Sequence, residues 1–374
     1  MVDKVLVIGS GLYGSVFARI CKDAGLDVLV VEKRKHIGGN CYDVYDEETG
    51  ITIQLYGAHI FHTNNEDVWN FMNKYTKFNN FINEVKACNN GKYYSLPFNL
   101  NTFKEIYGCE TAEEAKKILD EKTEKYKNIT PTNLKEQALK FVGKDIYNLL
   151  IRDYTEKQWK KHCKDLSPDI IKRIPIRFEY NNNYFNDKYQ GIPKKGYHTL
   201  FDNLLKGIKV IKGCNIKQQA LKNFKGLIVY TGKIDEFFDY CYGKLDYRTC
   251  DFDILTLNKE YFQDRAVVNY TDKSHPYTRI IEHKYFLNEK SEKTVITIET
   301  PVKYTDNKLP LYPMNDEKNN ILYNKYKEKA SQMSNLIISG RLGSYAYYDM
   351  NKVVELAMKE ANEFLERNKE WKKE

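Results

Sequence analysis

Apolar residues run without a break through Val5-Leu6-Val7-Ile8 and again through Val28-Leu29-Val30-Val31, and the stretch from Leu12 to Gly25 between them has helical spacing. Two short apolar runs flanking such a stretch, all within about thirty residues, predict a strand-helix-strand unit whose parallel strands are covered on both faces. From about Asn65 to Leu150 the pattern reads as helical. Thr111 and Glu114 form a capping-box pair there, and Leu134, Ala138, Phe141, Val142, Ile146, Leu149 and Leu150 trace one helix face. Beyond Pro175 the pattern turns towards strands, with β-rich runs at 266–269, 279–282 and 294–298. Residues 226–232 predict a buried strand ending in a glycine turn. Near the C-terminus Leu336-Ile337-Ile338-Ser339-Gly340 repeats that signal, followed by a tyrosine-rich loop and an amphipathic helix carrying Val353, Val354, Leu356, Ala357, Phe364 and Leu365. Parallel-strand signals at both ends of the chain imply one nucleotide-binding domain assembled from separated segments.

At 374 residues the chain has room for two to three domains. Its 42% hydrophobic and 29% charged composition supports a large core and excludes wholesale disorder. The net charge is modest, 59 basic minus 51 acidic residues or +8, and the two signs are interspersed; no stripe marks a nucleic-acid surface, while an anionic small substrate stays compatible. The eight cysteines include no CxxC pair and no zinc-finger spacing, so they read as reduced thiols of a cytosolic protein. No apolar run approaches the roughly 18 residues of a membrane span, and no signal peptide precedes the first strand; the expected location is cytoplasmic. The 30 tyrosines suit a wet cleft for a polar ligand, and equally an AT-rich coding sequence.

The first loop carries chemistry. Gly9-Ser10-Gly11-Leu12-Tyr13-Gly14 follows a strand and opens a helix, and Glu32 stands 18 positions after the last glycine. In that context Gly9 permits the tight turn, Gly11 lets a pyrophosphate approach the backbone, and Gly14 lets helix and strand pack closely; Glu32 is placed to accept from an adenosine ribose. Five residues separate Glu32 from Gly38-Gly39, which resembles the Glu-x5-Gly-Gly extension of FAD-dependent oxidases, mutases and reductases. By that resemblance Ser339-Gly340-Arg341, with Asp349-Met350-Asn351 opening a helix, supplies a second flavin-facing element. His59 and His62 are three apart, yet no third ligand cluster accompanies them, and no metal is expected.

Tyr154-Thr155-Glu156-Lys157-Gln158-Trp159, Arg173-Ile174-Pro175-Ile176-Arg177 and Asn183-Tyr184-Phe185 follow the helical stretch. With Gly57-Ala58-His59-Ile60-Phe61-His62-Thr63, Leu96-Pro97-Phe98-Asn99, the 230–235 segment, Tyr247-Arg248 and Gly340-Arg341-Leu342-Gly343-Ser344-Tyr345, they resemble, in order over essentially the whole chain, the bacterial-type UDP-galactopyranose mutase family. Ala58 and Lys233 stand where the family usually has proline, and Lys160 where it has glycine. The resemblance and the pattern together imply an α/β fold: a Rossmann-like FAD-binding domain built from discontinuous segments (1–66, 190–238 and 318–374), a helical-bundle domain (67–165) and an antiparallel β-sheet domain (166–189 and 239–317).

The resemblance further implies interconversion of UDP-galactopyranose and UDP-galactofuranose through an adduct on N5 of reduced FAD, serving galactofuranose and cell-surface polysaccharide biosynthesis. It implies a reductant such as NAD(P)H and a homodimer. Catalytic residues would be Arg173 and Arg279 on the diphosphate and His62 on the flavin face. Tyr154, Thr155 and Trp159 would line the uridine site, and Asn83, Tyr184, Asn269, Tyr312 and Tyr347 would contact phosphates or sugar. Gly9, Gly11, Gly14, Glu32, Gly39, Asn40, His59, Ile60, Arg341, Asp349 and Met350 would hold FAD. The polar stretch from Lys160 to Arg173 is expected to be a mobile lid. Two rivals share the dinucleotide signal: an FAD-dependent amine-oxidase-like oxidoreductase and a non-catalytic flavoprotein.

Overall fold

The computed structural model describes residues 2–172 and 174–370. A five-stranded parallel sheet has the order Leu336–Ile338, Leu227–Tyr230, Lys4–Ile8, Asp27–Glu32, Lys209–Lys212, so its strands come from the beginning, middle and end of the chain. The continuous apolar runs explain this placement: alternate side chains enter opposite layers, and both are covered. Val5, Val7, Val28, Val30 and Val229 are buried in one core with Val16 and Phe17 of the Leu12–Asp23 helix and Val353, Val354, Ala357 and Ala361 of the Met350–Glu370 helix. Leu6, Ile8, Ile228 and Tyr230 face the opposite layer with Phe237 and Tyr326.

The second sheet has seven strands, in the order Tyr312–Pro313, Tyr247–Leu257, Thr294–Lys303, Arg279–Glu282, Val267–Tyr270, Val85–Asn89, Lys92–Leu96. All neighbours are antiparallel except Val267–Tyr270 with Val85–Asn89, which run parallel. Residues 85–96 correct the expectation of a wholly helical 65–150 stretch: they form a hairpin that completes this sheet. Asn90 and Gly91 both have positive φ (49° and 78°), the backbone that a two-residue hairpin turn requires.

The remaining helices of that stretch do pack together. Leu134, Ala138, Val142 and Ile146 share a core with Phe103 and Ala115. The Thr111 capping box forms, with the Glu114 N–H donating to Thr111 Oγ1 at 3.2 Å and the Thr111 N–H to Glu114 Oε2 at 3.3 Å. The helical face does not continue unbroken to Leu150: Gly143 leaves helical geometry (φ 75°), and a π-helical turn at Tyr147–Ile151 leads into the Arg152–Trp159 helix. That irregular joint re-aims the helix carrying Tyr154 and Trp159. No helix among the described residues is long and apolar enough to cross a membrane.

Candidate active site

A cleft opens where the first parallel strand meets the first helix, and Gly9, Gly11, Gly14, Glu32, Gly39 and Asn40 line it. A Cβ on Gly14 would lie 2.0 Å from the Gly9 carbonyl oxygen, and one on Gly39 would lie 3.0 Å from the Gly11 Cα, so two loops cross here with no side chain between them. Gly11 caps the Leu12–Asp23 helix without a side-chain hydrogen bond, which leaves its first N–H groups for an anion. Glu32 is buried; its Oε2 accepts from the Ser10 N–H (2.8 Å) and hydroxyl (2.7 Å), and its Oε1 from the Arg34 N–H (2.8 Å). The carboxylate therefore braces the glycine loop, while Oε1 keeps acceptor capacity for a ribose hydroxyl. Arg34 and Arg341 also line the cleft, and Arg34 Nη1 and Arg341 Nε are buried without a hydrogen-bond partner among the described residues. Bare glycine crossing, buried carboxylate and unsatisfied cationic donors together fit the pyrophosphate and ribose of FAD.

His59 and Met350 line the same cleft. The His59 backbone N–H donates to Gln54 Oε1 at 2.6 Å, and its ring Nδ1 lies 2.9 Å from the Gly57 carbonyl; burial pushes its pKa down to about 4. Behind it, the Gln54 N–H donates to His283 Nδ1 (3.3 Å), and His283 Nε2 pairs with the Thr297 hydroxyl (2.7 Å). Burial lowers the His283 pKa to about 3. Ile60 lies in the apolar core, and Asp349 precedes the Met350–Glu370 helix, its carbonyl accepting from the Val353 N–H at 3.1 Å.

Next to this cleft lies a cationic and aromatic cluster. Arg279 begins one strand of the seven-stranded sheet opposite Asn269, its Nε donates to Asn269 Oδ1 (3.3 Å), and its Nη2 donates to the Tyr154 hydroxyl (3.4 Å). Glu299, directly across the other strand pair, approaches Arg279 Nη1 at 3.5 Å. Burial opposes the Arg279 charge, but Glu299 and the surrounding tyrosines outweigh it and hold the pKa well above the usual arginine range. Burial likewise raises the Tyr154 and Tyr312 hydroxyls, which stay protonated donors. Arg248 stacks over Trp159 (3.5 Å to the ring centre) and reaches Tyr312 (5.1 Å); Tyr312 stacks on Tyr347 (5.6 Å), and Arg341 stands over both tyrosines (5.6 and 5.7 Å). Arg341 thus joins cluster and cleft.

Thr155 is buried on the same helix as Tyr154. Tyr184 is exposed at 37%, and its N–H donates to the Asn83 carbonyl at 2.8 Å; the buried Asn83 Oδ1 has no partner among the described residues. His62 is held by a hydrogen bond from Nδ1 to Asp187 and by stacking on Phe185 (3.7 Å between ring centres), while Asn64 fixes the other Asp187 oxygen. Arg173 lies outside the described residues. The stretch before it, expected to be a lid, carries buried Cys163, Leu166 and Ile171 packed on the helical core, so its described part is anchored rather than loose over the cleft. Lys160, in the family's glycine position, has φ 52° at the end of the Arg152–Trp159 helix, the left-handed geometry that glycine adopts at least cost.

Sequence reasoning gave no role to Arg34, Asp187, Arg248 or Glu299, although Arg248 stands in one of the motifs that carry the family resemblance. Glu299 was within reach, since a charged residue facing Arg279 on a neighbouring strand is a cross-strand pair once register is known. Among the described residues no group of three or more His, Cys, Asp or Glu side chains is arranged to hold a metal.

A family model described as UDP-galactopyranose mutase matches residues 149–347, and one described as an NAD(P)-binding Rossmann-like domain matches 7–75. A dTDP-fucopyranose mutase of Escherichia coli is 39% identical over 98% of this chain and 100% of its own length. A probable UDP-galactopyranose mutase of Klebsiella pneumoniae is 38% identical over 97% of this chain and 94% of its own, and a UDP-galactopyranose mutase of Mycoplasma genitalium 34% identical over 96% and 94%. A crystal structure of reduced UDP-galactopyranose mutase superposes with a TM-score of 0.77 over 98% of this chain and 94% of its own at 14% identity, a likeness of fold. By contrast, a flavin-containing amine oxidase of Danio rerio matches 61 residues at 41% identity, 16% of this chain and 12% of its own. The chain belongs to the UDP-galactopyranose mutase family, FAD-dependent isomerases of sugar nucleotides.

Proposed function

We propose that the protein interconverts UDP-galactopyranose and UDP-galactofuranose. The observation that carries this reading is Arg279, a half-buried cation with Tyr154 and Asn269 in its grip and an aromatic cluster beside it, adjoining a cleft built for a dinucleotide. A nucleoside diphosphate asks for these groups: guanidinium donors for phosphate oxygens, neutral hydroxyls that add no charge, and flat rings for the base. Reduced FAD, when bound, supplies a nucleophilic nitrogen for the anomeric carbon, so no side chain need act as nucleophile. The side chains then do electrostatic and positioning work. Arg279 stabilises the diphosphate as it departs and keeps it within reach for return, with Arg173 assigned to the same task by sequence resemblance alone. The protonated Tyr154 and Tyr312 hydroxyls donate to phosphate or sugar oxygens. His62, oriented by Asp187 and Phe185, is assigned to the reacting face of the flavin, and the neutral His59 ring lines the cofactor cleft without bringing a charge. Gly9, Gly11, Gly14, Glu32, Gly39, Asn40, Arg341 and Met350 are the cofactor residues in this reading.

A second substrate, dTDP-fucopyranose, is favoured by one observation, the Escherichia coli relative. The two substrates differ in the sugar's 6-hydroxyl, the base methyl and the ribose 2′-hydroxyl. The test is a side-by-side anaerobic assay of dithionite-reduced protein with the furanose forms of both, followed by chromatography. Faster conversion of the UDP sugar supports the first reading, and conversion of the dTDP sugar alone replaces it. The three-domain division of the chain, with the 85–96 hairpin joined to the sheet domain, cytoplasmic location, reduction by NAD(P)H and assembly as a homodimer complete the proposal; free thiols at all eight cysteines agree with a reducing compartment.

A further inference from the structure

Lys157 is a half-buried cation that the proposed chemistry does not use. Its Nζ donates to the backbone carbonyls of Tyr270 (2.8 Å), at the end of the strand Val267–Tyr270, and of Tyr277 (2.9 Å) and His275 (3.2 Å), on the connection from there to the strand Arg279–Glu282. An ammonium has three N–H donors, so this connection takes up all of them. Burial disfavours the charge and lowers the pKa to about 8. A half-buried cation aimed at three backbone oxygens is a clamp between two elements rather than a surface ion pair.

Each of the two clamped elements carries one half of the diphosphate site. Lys157 lies one helical turn after Tyr154, on the same face of the Arg152–Trp159 helix. The segment that it grips, 270–277, begins one residue after Asn269 and ends two residues before Arg279, and it is otherwise rigid. Asp272 accepts from the Asn90 N–H (3.0 Å), the Ser274 N–H (2.9 Å) and His275 Nδ1 (3.1 Å), while the Thr271 hydroxyl donates to the Leu149 carbonyl (2.9 Å). The connection is thus a fixed block, and Lys157 ties the helix to it beside the point where Tyr154 meets Arg279.

We propose that Lys157 is a positioning residue for nucleotide-sugar binding: by clamping the helix to the 270–277 connection it sets the Tyr154 hydroxyl against the Arg279 guanidinium, and so aims the diphosphate-binding donors. The inference rests on the functional reading above. The measurements are UDP affinity by calorimetry, KM and kcat for UDP-galactofuranose, and bound flavin, for wild type, Lys157→Met, Lys157→Gln and each combined with Tyr154→Phe. Methionine removes every donor at similar length; glutamine keeps two N–H groups. Expected are weaker UDP binding and higher KM by about tenfold for Lys157→Met, the size of a lost charge-assisted hydrogen bond, a smaller loss for Lys157→Gln, little change in kcat and unchanged flavin content. Tyr154→Phe, which weakens binding in the wild type, should add almost nothing in the Lys157→Met background, because the two act through one contact.

Wild-type affinity in a folded, flavin-loaded Lys157→Met protein overturns the inference, as does a loss that adds in full to that of Tyr154→Phe. If the methionine variant does not fold, the glutamine variant decides by the same criteria. A wild-type protein that fails to bind UDP overturns the functional reading and this inference with it, whereas UDP binding by wild type and undiminished binding by the variants overturns this inference alone.

Discussion

Acid should release the flavin before it unfolds the remainder of the chain, through the buried, neutral His59 and, behind it, His283. Its Nδ1 accepts the Gln54 N–H, which fixes the neutral tautomer with hydrogen on Nε2 facing Thr297; a second proton on Nδ1 would meet that N–H head on. Gln54 in turn grips the His59 backbone at the cofactor cleft. In the unfolded chain a histidine titrates near 6.5, while burial lowers His283 to about 3 and His59 to about 4. Between those values the unfolded state binds the extra protons, so the stabilising contribution is fully present above about 6.5 and is lost as pH falls towards 4 and 3. At about pH 5, roughly 1.5 units below the unfolded value, the contribution of each histidine has fallen by about 2 kcal/mol at 1.36 kcal/mol per unit. His198 works in the opposite direction, because its hydrogen bond to Asp43 raises its pKa, so the effect must be isolated by difference. The comparison is wild type against His283→Gln, with denaturation midpoint and release of flavin fluorescence followed from pH 7.5 to 4.5. The stability gap between the two proteins should narrow by about 2 kcal/mol from pH 7 to 5, with flavin release from wild type steepening over the same interval. Parallel curves would refute the assignment of His283 as a neutral brace.

Arg279→Ala should lower kcat/KM by about 100-fold or more, the size of losing a preorganised donor to a departing anion, with FAD retained; Arg279→Lys should recover part of it, and steady-state kinetics with a flavin spectrum check both. Gly11→Val should fold yet purify without flavin, since its side chain fills the bare crossing with Gly39, and the absorbance ratio reports it. Gly14→Ala, whose Cβ would lie 2.0 Å from the Gly9 carbonyl oxygen, should lower the melting temperature as well as flavin content. Lys160→Gly should raise stability by about 1 kcal/mol, because Lys160 holds a left-handed backbone, and a denaturant titration would register the gain.

The parallel sheet was legible because its strands are short, continuous apolar runs, and the glycine motif sat between two of them. The discontinuous assembly followed from finding the same signal near Leu227 and Leu336. Less visible was the hairpin at 85–96: its strands carry Lys86, Lys92 and Ser95 among the apolar residues, and the Asn90-Gly91 turn that marks it was read within a helical stretch. The Tyr247–Leu257 strand escaped for a related reason, its distal half being solvent-facing and polar in pattern. At the site, residues inside contiguous motifs were readable, among them Tyr154, Trp159 and Glu32. Partners that meet through sheet register or tertiary packing were not: Glu299 meets Arg279 across strands, Arg248 meets Trp159 between helix and sheet, and Asp187 meets His62 across 125 residues of chain. A linear pattern reports which face a residue takes, not which distant side chain waits there.

The central claim is that this fold isomerises a uridine diphosphate sugar on a reduced flavin, with Arg279 holding the diphosphate. Its most direct test is anaerobic turnover of UDP-galactofuranose by the dithionite-reduced wild type, with the oxidised enzyme and reduced Arg279→Ala run beside it. UDP-galactopyranose formed rapidly by the reduced wild type, and at least about 100-fold more slowly by the other two, is the predicted result; equal rates in the oxidised enzyme, or no pyranose from the reduced one, would contradict it.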